Sequence, residues 1–244
     1  MVAKIIYIAA VVLECVFVPL FLKYSWPQKC IKSLKMKTVA SALFITTGIC
    51  AIAMAGKFTI YGKLILIGLV FGMIGDILLH LITDKQIVFA GGLFAFLIGH
   101  IFYIIAYKKA LDYYTPGARV FDYRAVVAII IIVVSCVMYA IMTDMKFGVA
   151  TIPVIMYAVT ISIMLVTAFQ LGIRVFLEGF DHDVFILCTV SLGSLLFMLS
   201  DATLSILLFG GQEKNRPLKI FNILTYYAGQ VLIGTSAMYM LIAR

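Results

Sequence analysis

The chain has 244 residues, 64% of them hydrophobic and only 12% charged, and a mean hydropathy of +1.16. Soluble domains carry roughly 25% charged residues, so this chain lacks the polar surface to face water, and a water-soluble fold is excluded. The net charge of +8 does not mark a nucleic-acid binder, because the cations sit in short segments between apolar runs, where they set topology and meet lipid headgroups.

Apolar runs of about 20 residues, enough to cross ~30 Å of hydrocarbon, recur from end to end. They predict eight spans, near residues 3–22, 38–56, 64–82, 89–107, 125–143, 149–172, 184–208 and 220–242. Backbone polar groups in a bilayer must be satisfied internally, which leaves helices or closed barrels. Barrel strands alternate over short segments, whereas these runs are continuous. The expected fold is all-α, a polytopic transmembrane helical bundle forming a single integral membrane domain over residues 1–244.

The run after Lys4 has no small-residue cleavage site and reads as a first span, not a signal peptide. Residues 23–37 read as the first connection. Its Lys23, Lys29, Lys32, Lys35 and Lys37, with no acid, favour the cytoplasm and so place both termini outside. The fourth connection, on the opposite face, also carries cations: Lys108, Lys109, Arg119 and Arg124. The span at 38–56 is the weakest, diluted by glycine and threonine. Cys15, Cys50, Cys136 and Cys188 lie in apolar runs and only Cys30 in a loop, so neither a disulfide framework nor a C-x-x-C metal site is expected.

Ionisable groups within a bilayer are expensive and mark function by default. Glu14, Asp76 and Asp201 are the acids deep within spans, with His80 and His100 also in or near the membrane. His182, between Asp181 and Asp183, reads as a solvated loop residue. Asp76 and Asp201 each lie roughly 10 Å below the same membrane face at 1.5 Å per residue. Tyr226 and Tyr227 come at a similar depth, Gln230 one turn deeper, and His100 roughly 16 Å down from that face.

Helical spacing groups Gly92, Phe96, His100 and Tyr103, then Gly193, Phe197, Asp201 and Ser205, then Tyr226, Gln230 and Gly234. Gly68 and Gly72 precede Gly75. Small residues allow close helix approach, so these faces are expected to point into the bundle. A lone buried Asp can equally be a packing residue, held neutral or hydrogen-bonded, but two at one depth beside His, Tyr and Gln fit that reading less well. Asp76, His80 and His100 could sketch a metal site, although hydrolytic zinc usually takes three protein ligands and no third histidine is at hand. Glu14 is open to a structural or gating role.

Four segments carry a family resemblance: residues 71–79 (FGMIGDILL), 89–103 (FAGGLFAFLIGHIFY), 193–204 (GSLLFMLSDATL) and 226–230 (YYAGQ). Residues 153–168, with Tyr157 and Met164, add a fifth. In this order the chain resembles the lysoplasmalogenase (YhhN-like) family of multi-spanning membrane proteins, across spans three to eight. The first connection departs from the family pattern of a lysine followed closely by proline, so no role passes to Lys32. His80 matches no family position.

The resemblance implies hydrolysis of the vinyl ether bond of lysoplasmalogens to a fatty aldehyde and glycerophosphoethanolamine or glycerophosphocholine. It implies Asp76 and Asp201 as catalytic, with Ser200, His100, Tyr103, Tyr226, Tyr227 and Gln230 binding or positioning substrate. The residues suit that chemistry: one carboxylic acid protonates the β-carbon, and one carboxylate stabilises the oxocarbenium ion and activates water. No cofactor, metal or nucleic acid is expected, and the partners would be a lysophospholipid and membrane lipids. The membrane would be the plasma membrane in a bacterium or the endoplasmic reticulum in a eukaryote. Two alternatives stay open: a lipid or small-molecule transporter with the aspartates as a proton relay, and a metal-dependent hydrolase built on Asp76, His80 and His100.

Overall fold

A computed structural model describes residues 1–81, 86–117 and 122–240. Within these the chain forms eight long helices and no strand. They are α1 (Val2–Tyr24), α2 (Ile31–Met54), α3 (Ile60–His80), α4 (Gln86–Tyr114), α5 (Tyr123–Met142), α6 (Thr151–Leu177), α7 (Asp183–Phe209) and α8 (Arg216–Thr235). Seven of the eight, α1 to α7, are long and apolar enough to cross a membrane.

Polar residues between the apolar runs fix the helix starts. Thr59, Asp122 and Asn215 each accept a hydrogen bond from a backbone N–H of the first turn, at Gly62, Ala125 and Leu218. Each such cap satisfies a donor the helix itself cannot. Pro217 sits in the first turn of α8, where its missing N–H is not needed.

At α2 the cap is reciprocal. Cys30 Sγ accepts from the Ser33 N–H, and Ser33 Oγ accepts from the Cys30 N–H. This cap starts α2 at Ile31, seven residues before the expected 38. Lys32, Lys35 and Lys37 therefore lie on a helix, not in a connection. Similarly, α4 continues past residue 107 to Tyr114, and α6 continues past 172 to Leu177. The added turns of α2 and α4 mix lysines with apolar residues, and that of α6 carries Arg174. The last span, expected at 220–242, begins at Arg216 and gives way at Ser236–Met238 to a single 3-10 turn. Residues 241 and 242 lie outside the described residues, as does residue 82 of the third expected span.

The weakest span is not 38–56 but α8, the one long helix that falls outside the membrane-crossing criterion. Ten of its residues are buried, among them Asn222, Thr225, Tyr226, Tyr227 and Gln230. It packs on α7, α2, α1 and α3. A helix enclosed by protein need not be apolar, because its neighbours supply the hydrogen bonds that lipid cannot. Close approach to α7 relies on Gly229, where a Cβ would stand 2.9 Å from the Gly193 carbonyl oxygen.

α7 holds a wide π-turn over Leu187–Leu192. By contrast with α8, α5 stands at the edge. It buries only Ala125 and packs chiefly on α6. All five cysteines are free.

Candidate functional site

Asp76 is held on α3 one turn before the helix end and is 1% exposed. Its Oδ1 lies 2.9 Å from the Lys37 ammonium of α2. Its Oδ2 accepts hydrogen bonds from Ser41 Oγ at 2.6 Å and Tyr226 OH at 2.8 Å. Lys37 and Ser41 stand one turn apart on α2, so they share a face. Every partner of this carboxyl is a donor. That is the environment of an ionised carboxylate, since a protonated one would need an acceptor.

Behind Asp76 a chain of hydrogen bonds runs into the bundle. Gln230 Nε2 donates to Tyr226 OH at 3.2 Å, and Tyr103 OH donates to Gln230 Oε1 at 2.8 Å. The glycines of α3 make room for it. A Cβ at residue 72 would lie 2.6 Å from Gln230 Nε2, and one at residue 68 would strike the Tyr103 ring. These glycines accommodate side chains of the polar network. Small residues that admit helix backbones lie elsewhere, at Gly99 and Gly229.

Asp201, on α7, has different company. Tyr157 OH of α6 donates to its Oδ2 at 2.5 Å, and His100 Nε2 of α4 faces the same oxygen at 3.5 Å. The His100 Nδ1 lies 2.6 Å from the Phe96 carbonyl oxygen. A carbonyl can only accept, so Nδ1 carries a proton, and in the neutral ring Nε2 presents a bare lone pair to Asp201. Two lone pairs cannot face each other stably. His100 Nε2 has no hydrogen-bond partner among the described residues, and a proton on either the carboxyl or the imidazole would join the pair. Among the described residues Asp201 Oδ1 accepts no hydrogen bond.

Both aspartates border one cavity of about 360 Å³, together with Lys37, Ser200 and Tyr226. Of the eight candidates read from the sequence, Asp76, Asp201, Ser200 and Tyr226 line it. His100, Tyr103, Tyr227 and Gln230 stand behind that lining. Tyr227 donates to the Lys37 carbonyl oxygen at 3.4 Å. Ser200 is clamped to α8 by Asn222, whose Nδ2 donates to both its carbonyl oxygen and its Oγ.

Asp76, His80 and His100 do not converge as a ligand set. His80 Nε2 is bonded to Ser33 Oγ at 2.7 Å, and His100 turns to Asp201. Among the described residues no three His, Cys, Asp or Glu side chains gather as metal ligands. Glu14 is buried, and among the described residues neither of its oxygens has a hydrogen-bond partner. His182 is exposed and stacks on Tyr239.

The sequence profile of the YhhN family matches residues 35–237. The chain belongs to the YhhN family, which includes lysoplasmalogenases. No curated protein and no solved structure matches it. The matched region begins just before Lys37 and so contains Lys37, Ser41, Tyr157 and Asn222. Sequence reasoning gave none of these four a role in this YhhN protein. The lysine and serine were legible only as an i, i+4 pair on a helix, and an earlier start to α2 is what reveals that pairing.

Proposed function

We propose that this YhhN-family protein hydrolyses the vinyl ether bond of lysoplasmalogens, releasing a fatty aldehyde and a glycerophospho-alcohol. The observation that carries the reading is the contrast between two carboxyls on one cavity. Asp76 is surrounded by donors only, whereas Asp201 faces a buried His100 Nε2 that has no hydrogen-bond partner among the described residues.

In this reading the His100–Asp201 proton goes to the β-carbon of the vinyl ether. The double bond becomes an oxocarbenium ion, beside an Asp201 that is now a carboxylate. Water adds at the α-carbon, and its proton returns to the His100–Asp201 pair. The resulting hemiacetal splits into aldehyde and alcohol, so one water is consumed and the site is regenerated. Apo-state acid–base contacts are often long and tighten with substrate, which suits the 3.5 Å His100–Asp201 separation. Asp76 is already compensated by Lys37, so its negative charge is not free to stabilise the cation. It serves instead to fix Tyr226 and Lys37 at the cavity wall.

The test is fatty aldehyde release from an alkenyl lysophospholipid by purified protein, with and without chelator. Wild type is expected to be active in both. Asp201→Asn is expected to lose ~10²–10⁴ in rate, as when a general acid is removed, and Tyr157→Phe less. An Asp201→Asn protein that is folded and still works at near-normal rate ends the acid assignment. Activity abolished by chelation and restored by metal ends the metal-free mechanism.

A further inference from the structure

Asp201 borders a second cavity, and this one is different in kind. It is a groove of about 390 Å³ between α5, α6 and α7, lined almost wholly by apolar side chains such as Val133, Ala140, Val154, Ile161 and Ile206. It lies under α5, the helix with the least protein around it. Its lining also includes the hydrogen-bonded Tyr157 and Asp201, with Ser135, Tyr139 and Ser205.

Asp201 also borders the first cavity, whose wall carries three lysines and three acids. Lys29 and Lys219 line it along with the paired Lys37. Lys29 Nζ donates to the Leu79 carbonyl oxygen at 2.7 Å, and Lys219 Nζ donates to the Ser25 carbonyl oxygen at 2.8 Å. Ion pairs among the described residues are Lys37–Asp76, His100–Asp201 and Lys146–Asp144, so neither ammonium has a carboxylate. Burial and then the nearby Lys37 ammonium hold Lys29 below the usual lysine range. An anion placed between these cations would relieve that repulsion. The one other acid on this wall is Glu213, exposed and without an ionic partner among the described residues.

A ligand using both cavities must be apolar at one end and anionic at the other, with its joining segment over Asp201. We infer that the protein binds a single-chain phospholipid across α7, its hydrocarbon chain in the α5–α6–α7 groove and its phosphate on Lys29 and Lys219. α5 is exposed along most of its length, so a chain seated beneath it would be taken from the bilayer laterally. The bond joining chain to glycerol then passes the His100–Asp201 pair. This rests on the hydrolytic reading for its chemistry but not for its binding.

The probe is a 1-O-alkyl lysophospholipid, whose saturated ether cannot be cleaved by protonation. Its affinity for the purified full-length protein is measured beside those of the matching alkylglycerol, which lacks phosphate, and of glycerophosphoethanolamine, which lacks the chain. Wild type should prefer the lysophospholipid to either by about 10-fold or more, the worth of one or two charge-assisted contacts. Lys29→Gln with Lys219→Gln should erase the preference over alkylglycerol and leave alkylglycerol binding unchanged. Ala140→Phe or Ala202→Phe should fill the groove and weaken binding of a long-chain probe more than a short-chain one.

Unaltered phosphate preference in the lysine double variant overturns the inference. So does unaltered chain-length response in folded versions of both phenylalanine variants, or equal wild-type affinity for glycerophosphoethanolamine and the lysolipid. The expected binding pattern with no aldehyde release from the alkenyl substrate overturns hydrolysis alone. Aldehyde release without the pattern leaves hydrolysis standing and overturns the binding mode.

Discussion

Asp76 and Asp201 are the same residue type at similar depth, and their neighbours give them opposite tasks. The Lys37–Asp76 pair is buried, with side chains 10% and 2% exposed. Removing one partner of such a pair strands the other charge and typically costs ~3–5 kcal/mol. Asp76→Asn is therefore expected to lose stability as well as activity. Lys37→Met added to Asp76→Asn should recover most of the melting temperature and none of the aldehyde release. A single Asp76→Asn protein that melts with wild type would show that the pair contributes nothing. Glu14 offers the converse. Its oxygens have no partner to lose, so Glu14→Gln should keep activity within a few-fold and at least wild-type stability, read by the same two assays. Sequence made the two aspartates legible through the cost of charge in a bilayer. It left Lys37 hidden, because a lysine in a run of lysines reads as a solvated loop until a cap places it on a helix.

At the scale of elements, apolar length predicted that eight helices would form and missed where several of them begin. Helix ends are set by caps such as Cys30–Ser33, which have little weight in a hydropathy pattern. The polar character of α8 keeps it outside the membrane-crossing criterion, whereas the structure encloses that helix. The glycine stripe of α3 is a similar case. Spacing shows that Gly68 and Gly72 share a face, but not that a tyrosine and a glutamine fill it. Gly72→Ala should therefore act on the network more than on helix packing. Its Cβ would crowd Gln230 and with it the Tyr226 contact to Asp76. Overpacking of this kind typically costs ~1–3 kcal/mol. We expect a lower melting temperature and a several-fold fall in aldehyde release, part of which Gln230→Ala should restore by clearing the space. Wild-type behaviour of Gly72→Ala would mean that Gln230 has room to move aside.

For the molecule as a whole, eight crossings require both termini on one face of the membrane. The enclosed α8 makes this a real test, since it is the crossing that composition alone does not secure. Accessibility labelling of tags at the two ends should report the same side. Opposite sides would turn α8 into a re-entrant element that returns the C-terminus to the face carrying Lys29 and Arg216.

The Lys37–Asp76 contact also bears on how the chain is made. In lipid, a lysine or aspartate at the centre of a lone helix costs ~2.5–3.5 kcal/mol to insert. Helices α2 and α3 are joined by only the five residues 55–59, and each carries one of the two charges. Lys37 lies near the start of α2 and Asp76 near the end of α3, so each, released into the bilayer alone, would bear a share of that cost. Inserted as a hairpin, they enter with the charges already neutralising each other. The pair that shapes the cavity in the finished protein is thereby expected to make two adjacent helices a single unit of membrane insertion.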